Sequence, residues 1–363
     1  MTTRNTGKKS RGKKAGSNTT TQRSKERATE REREGSQKTI VEDPTNLEKK
    51  TQRKQILKFV KNTLEKGPPG LRNEFGSMKR FNDFEKMKAF KGAQEMGKNR
   101  YKDVGCLDNN RVKLNNPPWT HDYVHANYVA TPSNPKRFIC TQAPLEKTCA
   151  DFWYMCLQEK VETIFMLCNL TEKGAKKCFE YYPSKDKESV EFEEKGVKVT
   201  VKLESPKQEQ LKFDKNSDAK VMETVFIVEG PGGATQKTTH YHWIDWPDRG
   251  VPTADMAIIE LLAKTRASKA PIVVHCSAGI GRTGSVVMIE YIMDQLLSGQ
   301  QIEESDKILQ KIRDQRNNSI QTEQQYLFVH QVMMNYFMEK KLFDSAVKMA
   351  HLAFTEQYLK SVH

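Results

Sequence analysis

The chain lacks any apolar run that approaches the roughly 20 residues needed to cross a bilayer. Its N-terminus also lacks the apolar core of a signal peptide. These absences argue against a membrane span and a secretion signal. We therefore expect a soluble protein that works in the cytoplasm, or in the nucleus.

The cysteines lack the paired spacing of a zinc site. There are seven of them, an odd number, and no secretion signal accompanies them, so we expect reduced thiols and no disulfide framework. A buried structural thiol is the ordinary interpretation for most of them. They stand at positions 106, 140, 149, 156, 168, 178 and 276.

The first 40 residues have almost no apolar side chains and hold twelve Lys or Arg against four Glu, a net +8 of the chain's +14. Such a segment cannot form a core, so residues 1–52 are predicted to be a basic disordered tail. The run KKSRGKK at residues 8–14 suggests nuclear import or contact with nucleic acid, acidic membranes or other acidic partners. A merely solvated tail is the more ordinary interpretation.

The whole chain has 363 residues, so the part that follows this tail is long enough for one large domain. Helical spacing of apolar residues begins at Ile56, and the sequence Gly-Pro-Pro-Gly at residues 67–70 should end that helix. We place the domain at residues 53–340. Beyond it, residues 341–363 are predicted to form an amphipathic helix that packs on the domain, with Phe343, Val347, Ala350 and Phe354 on one face.

Residues 271–285, PIVVHCSAGIGRTGS, carry the strongest chemical signal in the chain. The apolar residues before Cys276 predict a buried strand, and the small residues after it predict a loop that leads into a helix. Successive N–H groups of such a loop, at a helix N-terminus, can turn inward and bind an oxyanion. The loop residues are Ser277, Ala278, Gly279, Ile280 and Gly281.

Two side chains give this loop its predicted chemistry. The planar guanidinium of Arg282 can grip two oxygens at once, and positive potential at the base of the loop favours the Cys276 thiolate. A cysteine followed six residues later by an arginine would prove little alone, but here the strand, the glycines and the hydroxyl of Thr283 occur together. The pattern predicts a nucleophile inside a phosphate site.

The stretch HCSAGIGRTG resembles the signature of the classical protein tyrosine phosphatases. The chain also contains stretches similar to other motifs of that family, in the family's order: KNRY, TQAPL, EKG-x-x-KC and WPD before the signature, and QTEQQ after it. The resemblance covers about residues 55–340. It implies an α/β fold, a single domain with a highly twisted mixed sheet flanked by helices. It also implies a non-receptor enzyme, expected to be a monomer, that hydrolyses phosphotyrosine in proteins through a phosphocysteine without metal or nucleotide.

A phosphate ester needs a proton donor on its leaving-group side, and Asp248 is the candidate. Trp246, Pro247 and Gly250 combine a bulky anchor, a stiff residue and a flexible one, which is typical of a lid. Asp248 would act as acid in the first step and as base in the second. A helix cap is the ordinary alternative for an aspartate in such a turn.

The remaining roles are implied by the resemblance. Tyr101 would form one wall of a deep slot, and Asp103 would accept hydrogen bonds from substrate amides. Lys177 would contact the acid loop, Thr283 would donate to the Cys276 sulfur, and Gln321, assisted by Gln325, would position the hydrolytic water. Thr322 with Gln325 also reads as an ordinary helix start.

Three residues depart from the family pattern. His125 replaces an asparagine that supports loop geometry near the site, Tyr182 replaces a tryptophan, and Arg249 replaces the phenylalanine after the acid. They motivate one alternative, a phosphotyrosine-binding module with little turnover. A second alternative is a dual-specificity or lipid phosphatase, which would lack the loop that carries Tyr101.

Overall fold

A mixed ten-stranded sheet runs through the computed structural model, which describes residues 44–115, 121–184, 187–205, 208–213 and 217–362. Its strands lie in the order β1-β2-β3-β12-β4-β11-β10-β8-β7, with β9 paired to β10, while β5 and β6 form a separate two-stranded ribbon. The strands are β1 Arg111–Lys113, β2 Tyr123–Thr131, β3 Asn134–Thr141, β4 Thr163–Met166, β5 Thr171–Glu172, β6 Ala175–Lys176, β7 Ser189–Glu194, β8 Val197–Leu203, β9 Glu209–Gln210, β10 Val221–Glu229, β11 Thr235–Trp243 and β12 Ile272–His275.

The centre of the sheet is parallel and its margins are antiparallel. Strand β12 pairs in parallel with β3 and β4, which places His275 beside Thr141 on one side and Met166 on the other. All four residues of β12 are buried, as a central parallel strand requires. Because parallel strands end at the same edge, the loop after His275 opens where β3 and β4 also end. The mixed sheet and its flanking helices confirm the predicted fold class.

Helices pack on this sheet. The long helix that follows the loop after β12, α5, packs against β2 and β12 and is in turn covered by α6 and α7, whereas α3 packs against β2, β7, β8, β10 and β11. No helix in the described ranges combines the length and the apolar character needed to span a membrane. The helices are α1 Pro44–Ser77, α2 Lys88–Gly92, α3 Cys149–Gln158, α4 Ala257–Lys264, α5 Gly281–Leu297, α6 Ser305–Arg313, α7 Glu323–Glu339 and α8 Ser345–Val362, with short 3₁₀ turns at Phe84–Lys86, Glu146–Thr148 and Pro231–Gly233.

Helix α1 starts earlier than the sequence indicated. It begins at Pro44, so the predicted boundary between residues 52 and 53 falls inside a helix, and the Gln52 amide already donates to the Leu297 carbonyl at 2.6 Å. The apolar pattern misses these turns because they are held by polar contacts. The break at Gly67, where φ is +58°, lies where the Gly-Pro-Pro-Gly sequence predicts it. The predicted disordered tail lies, up to residue 43, outside the described residues.

Helix α8 packs against α7 through a mixed apolar and polar face. Phe354 and Tyr358 are buried, and Gln331 on α7 donates from Nε2 to the Thr355 hydroxyl at 3.0 Å. The predicted face is partly wrong: Phe343 is buried but precedes the helix, and Ala350 is exposed. The buried stripe instead includes His351, whose polarity hid it from a pattern of apolar residues.

Replacing Phe354 tests whether α8 belongs to the cooperatively folded domain. Truncating a buried phenylalanine costs about 3–5 kcal/mol, so Phe354→Ala should lower the free energy of unfolding by about 3 kcal/mol. Urea denaturation monitored by tryptophan fluorescence measures this. Leu352→Ala, at a side chain 62% exposed on the same helix, is the matched control and should change stability by less than about 0.5 kcal/mol. If Phe354→Ala changed the free energy of unfolding no more than Leu352→Ala, α8 would not be part of the cooperatively folded domain.

Candidate active site

The loop of residues 277–281, called the cradle below, joins β12 to α5. Its middle residue, Gly279, has φ +71°, and a Cβ atom there would lie 1.9 Å from the Thr141 carbonyl oxygen. A Cβ on Gly281 would lie 2.4 Å from Gln321 Oε1. Only glycine tolerates both the left-handed backbone and the close approach at position 279. The small residues of the sequence motif are therefore required by the space around the loop.

The carbonyl groups of residues 277–280 of the cradle are all bound from outside the loop. The Ser277 carbonyl accepts from the backbone N–H of Ala143 at 3.0 Å, and the Ile280 carbonyl accepts from the N–H of Ile320 at 2.9 Å. The Arg316 guanidinium donates to the other two, at 3.3 Å to Ala278 and 3.1 Å to Gly279. With the carbonyls held outside, the N–H groups are left for the inner side, where the Gly279 N–H points at the Cys276 sulfur at 3.2 Å. Such a nest binds anions.

Cys276 is 3% exposed at the base of the cradle. Burial alone would raise the pKa of its thiol, but the charge of Arg282 and hydrogen bonds from Thr283 and Gly279 lower that pKa below its ordinary value. The Thr283 hydroxyl has no other hydrogen-bond partner of ordinary geometry in the described part of the chain, so it is available to the sulfur. The thiolate is therefore the favoured form at lower pH than for a free cysteine.

Arg282 is held in place by a carboxylate and a backbone carbonyl. Its two terminal nitrogens donate to the two carboxylate oxygens of Glu172, at 2.6 and 2.9 Å, and one also donates to the Trp246 carbonyl at 2.9 Å. Burial by itself would lower the pKa of Arg282, but Glu172 and the Cys276 thiolate raise it, so the guanidinium stays charged. Sequence reasoning gave Glu172 no role. The only sequence signal for Glu172 is its position as the glutamate of the EKG motif, and its partner Arg282 lies 110 residues further along the chain.

Asp248 reaches the same cavity from the loop of residues 246–250. One carboxylate oxygen accepts from Lys177 Nζ at 2.7 Å, and the other accepts from Arg282 at 3.3 Å. Burial would raise the pKa of this carboxyl, but Lys177 and Arg282 together lower it. The Asp248 carboxylate in turn raises the pKa of Lys177. Both shifts favour the ionised forms of Asp248 and Lys177.

Trp246 anchors the loop that carries Asp248. Its indole is 2% exposed, lies against Trp243 and Phe328 at centroid distances of 5.1 and 5.5 Å, and donates from Nε1 to the Gly250 carbonyl at 3.3 Å. Arg249 has φ +59°, an uncommon value for a residue with a side chain. Its carbonyl is held by the Thr322 hydroxyl at 3.1 Å, while its exposed side chain lines the cavity mouth.

The predicted recognition residues lie on one wall. The Ser277 hydroxyl donates to the Lys177 carbonyl at 2.9 Å, so Tyr101 must donate to the Ser277 oxygen, 2.8 Å away. This bond fixes the Tyr101 ring beside the cradle. Asp103 is exposed at the rim. The cavity measures about 400 Å³, and these side chains line it with Lys173, Arg249, Ala278 and the catalytic candidates.

Gln321 and Gln325 lie over the start of α5. The backbone N–H of Gln321 donates to Gln325 Oε1 at 2.9 Å, and the buried Gln325 Nε2 has no protein partner among the residues described. That free donor faces Gly281, where both amides would meet an added Cβ. Thr322 accepts from the N–H of Gln325 at 3.3 Å, so its predicted helix-capping interpretation is also correct. Both amides are thus oriented toward the cavity floor.

The structure therefore brings the sequence-predicted residues to one cavity. The residues that line it are Cys276, Arg282, Asp248, Lys177, Tyr101, Asp103, Gln321, Gln325, Ser277 and Ala278. Gly279, Ile280 and Gly281 complete the loop without lining the cavity, and Thr283 lies buried in the first turn of α5. Arg316 and Glu172 are the residues that sequence reasoning missed. A larger cavity, of about 900 Å³, lies elsewhere against Lys79, Phe81 and Arg313. It holds none of this chemistry, so the smaller cavity is the candidate site.

Alkylation tests the predicted thiolate. Iodoacetamide at about pH 6.5 should modify Cys276 faster than any other cysteine, because burial raises the pKa of Cys106 to about 11 and of Cys140 to about 12. Thr283→Ala should move the midpoint of the rate-against-pH curve upward by about 0.5–1 unit, since one hydrogen bond to the thiolate is lost. Mass spectrometry of peptides measures the site and rate.

The matched control is Thr148→Ala, a buried threonine in the turn before α3, which should leave that midpoint unchanged. Inorganic phosphate should protect Cys276 and no other cysteine. Modification of Cys276 at the rate of Cys140, or without protection by phosphate, would contradict the assignment of an oxyanion site.

Comparison with known proteins agrees with this geometry. The family model described as "Protein-tyrosine phosphatase" matches residues 95–335. The chain is 34% identical over 262 residues to the human receptor-type tyrosine-protein phosphatase zeta, covering 67% of this chain and 11% of that protein. It is 34% identical to human non-receptor type 12, covering 69% and 31%, and 32% identical to human non-receptor type 2, covering 66% and 56%. The chain thus spans from about a ninth to about half of these relatives.

Solved structures give the same result. The catalytic domain of human protein tyrosine phosphatase non-receptor type 18 superposes with a TM-score of 0.59 at 27% identity, covering 68% of this chain and 88% of that one. The structure titled "PTPN18 in complex with HER2-pY1248 phosphor-peptides" gives 0.61 at 29% identity, covering 70% and 93%. Receptor and non-receptor proteins both occur among the relatives. On these matches, the chain belongs to the protein tyrosine phosphatase family.

Proposed function

We propose that the protein hydrolyses phosphotyrosine in proteins through a phosphocysteine intermediate. The observation that carries the proposal is the convergence of a pKa-lowered Cys276, inward cradle amides and a pre-positioned Arg282 on one cavity, with a carboxyl group opposite. A pre-positioned guanidinium and oriented amides stabilise an oxyanion transition state because they need no reorganisation during the reaction. The family membership supports the same reaction.

In the first step, the Cys276 thiolate attacks phosphorus and the bond to the tyrosine oxygen breaks. Arg282 and the cradle amides hold the three remaining oxygens, whose charge they neutralise. Asp248 gives its proton to the departing phenolate oxygen. A substrate dianion on Arg282 offsets one of the three cations, Lys177, Arg282 and Arg249, that lower the Asp248 pKa, so substrate binding itself favours the protonated acid.

In the second step, water attacks phosphorus and the sulfur–phosphorus bond breaks. Gln321 and Gln325 orient the water, Asp248 takes its proton, and inorganic phosphate leaves. The Thr283 hydroxyl stabilises the returning thiolate. The buried, unpaired amide of Gln325 supports this role, since it has a donor to spare where the water must bind.

Substrate selection is proposed to reside in the wall formed by Tyr101. The ring beside Ser277 adds depth to the cavity, so a phosphotyrosine ring reaches the cradle whereas a short phosphoserine does not. Asp103 at the rim is proposed to accept hydrogen bonds from substrate backbone amides. The non-receptor structures that match, one of them in complex with phosphopeptides, support this and a non-receptor type. We further propose that the protein acts as a monomer in the cytoplasm or nucleus.

The alternative function is a phosphotyrosine reader with little turnover. The ionised Asp248, held by Lys177 and Arg282, favours it, because an acid that has already lost its proton cannot protonate the leaving group. Arg249 adds a further positive charge that lowers the pKa of Asp248. The two functions differ in whether Asp248 regains its proton when phosphate binds.

Turnover of matched phosphopeptides separates these functions. The wild type should release phosphate from a phosphotyrosine peptide and not from its phosphoserine equivalent. Cys276→Ser should abolish release, and Asp248→Ala should lower kcat by about 10²–10⁴. Asp245→Ala, an exposed carboxylate three residues away that pairs with Lys220, is the control and should retain kcat. If the wild type binds the phosphotyrosine peptide but releases phosphate no faster than Cys276→Ser, the protein is a reader.

The pH profile tests the role of Lys177. Activity should rise as Cys276 loses its proton and fall as Asp248 loses its own. Because Lys177 lowers the pKa of Asp248, Lys177→Met should raise that pKa and shift the falling limb to higher pH. The rising limb should stay in place. A profile of kcat against pH, which reports the pKa values of the substrate-bound enzyme, measures both limbs, and Lys176→Met, at the exposed neighbouring lysine, is the control. An unmoved falling limb would contradict the assignment of Asp248.

A further inference from the structure

His125 lies on β2 with its imidazole 3% exposed and both ring nitrogens engaged. Nε2 lies 2.8 Å from the Val104 carbonyl oxygen, and Nδ1 lies 3.2 Å from a terminal nitrogen of Arg316. Phe90 packs edge-on against the ring at a centroid distance of 5.7 Å. The ring therefore connects two loops that come from distant parts of the sequence.

The proton on this ring is determined by its partners. Arg316 can only donate, so Nδ1 must accept and cannot carry a proton. The Val104 carbonyl can only accept, so Nε2 must carry one. The ring is therefore neutral and is held in one tautomer. Burial, and then the charge of Arg316, lower the pKa of His125 to about 3, in agreement with the neutral state.

Each of the two bonds leads to a different part of the site. Arg316 also donates to the Ala278 and Gly279 carbonyls of the cradle, so the Nδ1 bond steadies the group that holds the cradle open. Val104 follows Asp103 and packs in one apolar cluster with Tyr101, Ala278 and Ile280. The Nε2 bond therefore tethers the segment that carries the two recognition residues.

We propose that His125 is a positioning residue that couples the recognition segment of residues 101–104 to the phosphate cradle, by donating to Val104 from one nitrogen and accepting from Arg316 at the other. The proposal deepens, and rests on, the phosphatase function proposed above. An asparagine amide at this position would be too short to make both bonds. The histidine thus adds a tether that an asparagine lacks.

Two substitutions separate the two bonds. His125→Asn keeps an acceptor where Nδ1 stood but loses the reach to Val104, whereas His125→Gln extends to the Nε2 position and loses the acceptor for Arg316. His330→Asn is the matched control. It replaces another buried, neutral histidine, which lies on α7 and is bonded to the Tyr326 carbonyl and the Ser305 hydroxyl at 2.9 Å each.

The measurements are KM and kcat for a phosphotyrosine peptide and calorimetric affinity for inorganic tungstate, a tetrahedral oxyanion. His125→Asn should raise KM for the peptide about tenfold and keep tungstate affinity, because only the recognition segment loosens. His125→Gln should weaken tungstate binding about tenfold and lower kcat, because Arg316 loosens. Two-bond ¹H–¹⁵N spectra of histidine-labelled wild type should show the Nε2–H tautomer at pH 6.

Equal effects from His125→Asn and His125→Gln, or effects of both no larger than those of His330→Asn, would overturn the proposal. So would a protonated or Nδ1–H ring. A wild type without turnover would defeat the proposed function alone. In that case the Kd of the phosphotyrosine peptide replaces KM, and the same contrast between peptide and tungstate still decides whether His125 couples the two loops.

Discussion

The site depends on the orientation of the backbone groups in one loop, the cradle. Its N–H groups can face inward only if its carbonyls are bound outside, and a buried carbonyl without a partner costs about 1–3 kcal/mol. Four hydrogen bonds from three residues meet that need: those of the Ala143 and Ile320 N–H groups to Ser277 and Ile280, and two from the Arg316 side chain to Ala278 and Gly279. The order of the sheet, with β12 beside β3, brings the first of these within reach.

Charge imposes the second constraint. A buried guanidinium such as Arg282 is tolerable only when paired, and Glu172 supplies a bidentate partner that leaves it oriented to the cavity. The same guanidinium lowers the pKa of Cys276 and, with Lys177, that of Asp248. The charge of Arg282 therefore favours the reactive thiolate of Cys276 and disfavours the protonated form in which Asp248 acts as an acid. An anion bound at Arg282 relieves the second effect, which links the chemistry to occupancy.

The sequence predicts the parts of the site that are contiguous. Cys276 to Arg282, the loop around Asp248, and Gln321 with Gln325 each have a local pattern whose spacing reflects a local shape. It does not reveal Glu172 on Arg282 or Arg316 on the cradle, because a bond across 110 or 37 residues has no periodicity. The turn of α1 that carries Gln52 and the buried His351 on α8 were missed similarly, since polar contacts hold them.

The three departures from the family pattern differ in their physical consequences. The ring of Tyr182 lies among Tyr181, Phe226 and His240, at centroid distances of 4.9–6.0 Å, so it fills an aromatic cluster behind the site. His125 is likewise buried and satisfied at both nitrogens. Such residues are integrated into packing, so they do not by themselves argue for a lost activity.

Arg249 differs because only its carbonyl is fixed, by Thr322, while its charged side chain stays exposed at the mouth beside Lys173. A cation there acts on whatever approaches the mouth, and it acts through space on Asp248. A charge that both attracts an acidic ligand and lowers the pKa of the proposed acid strengthens binding at the expense of protonation. The balance between a fast enzyme and a tight binder is therefore set by how far a bound phosphate dianion offsets the cations around Asp248, which are Lys177, Arg282 and Arg249.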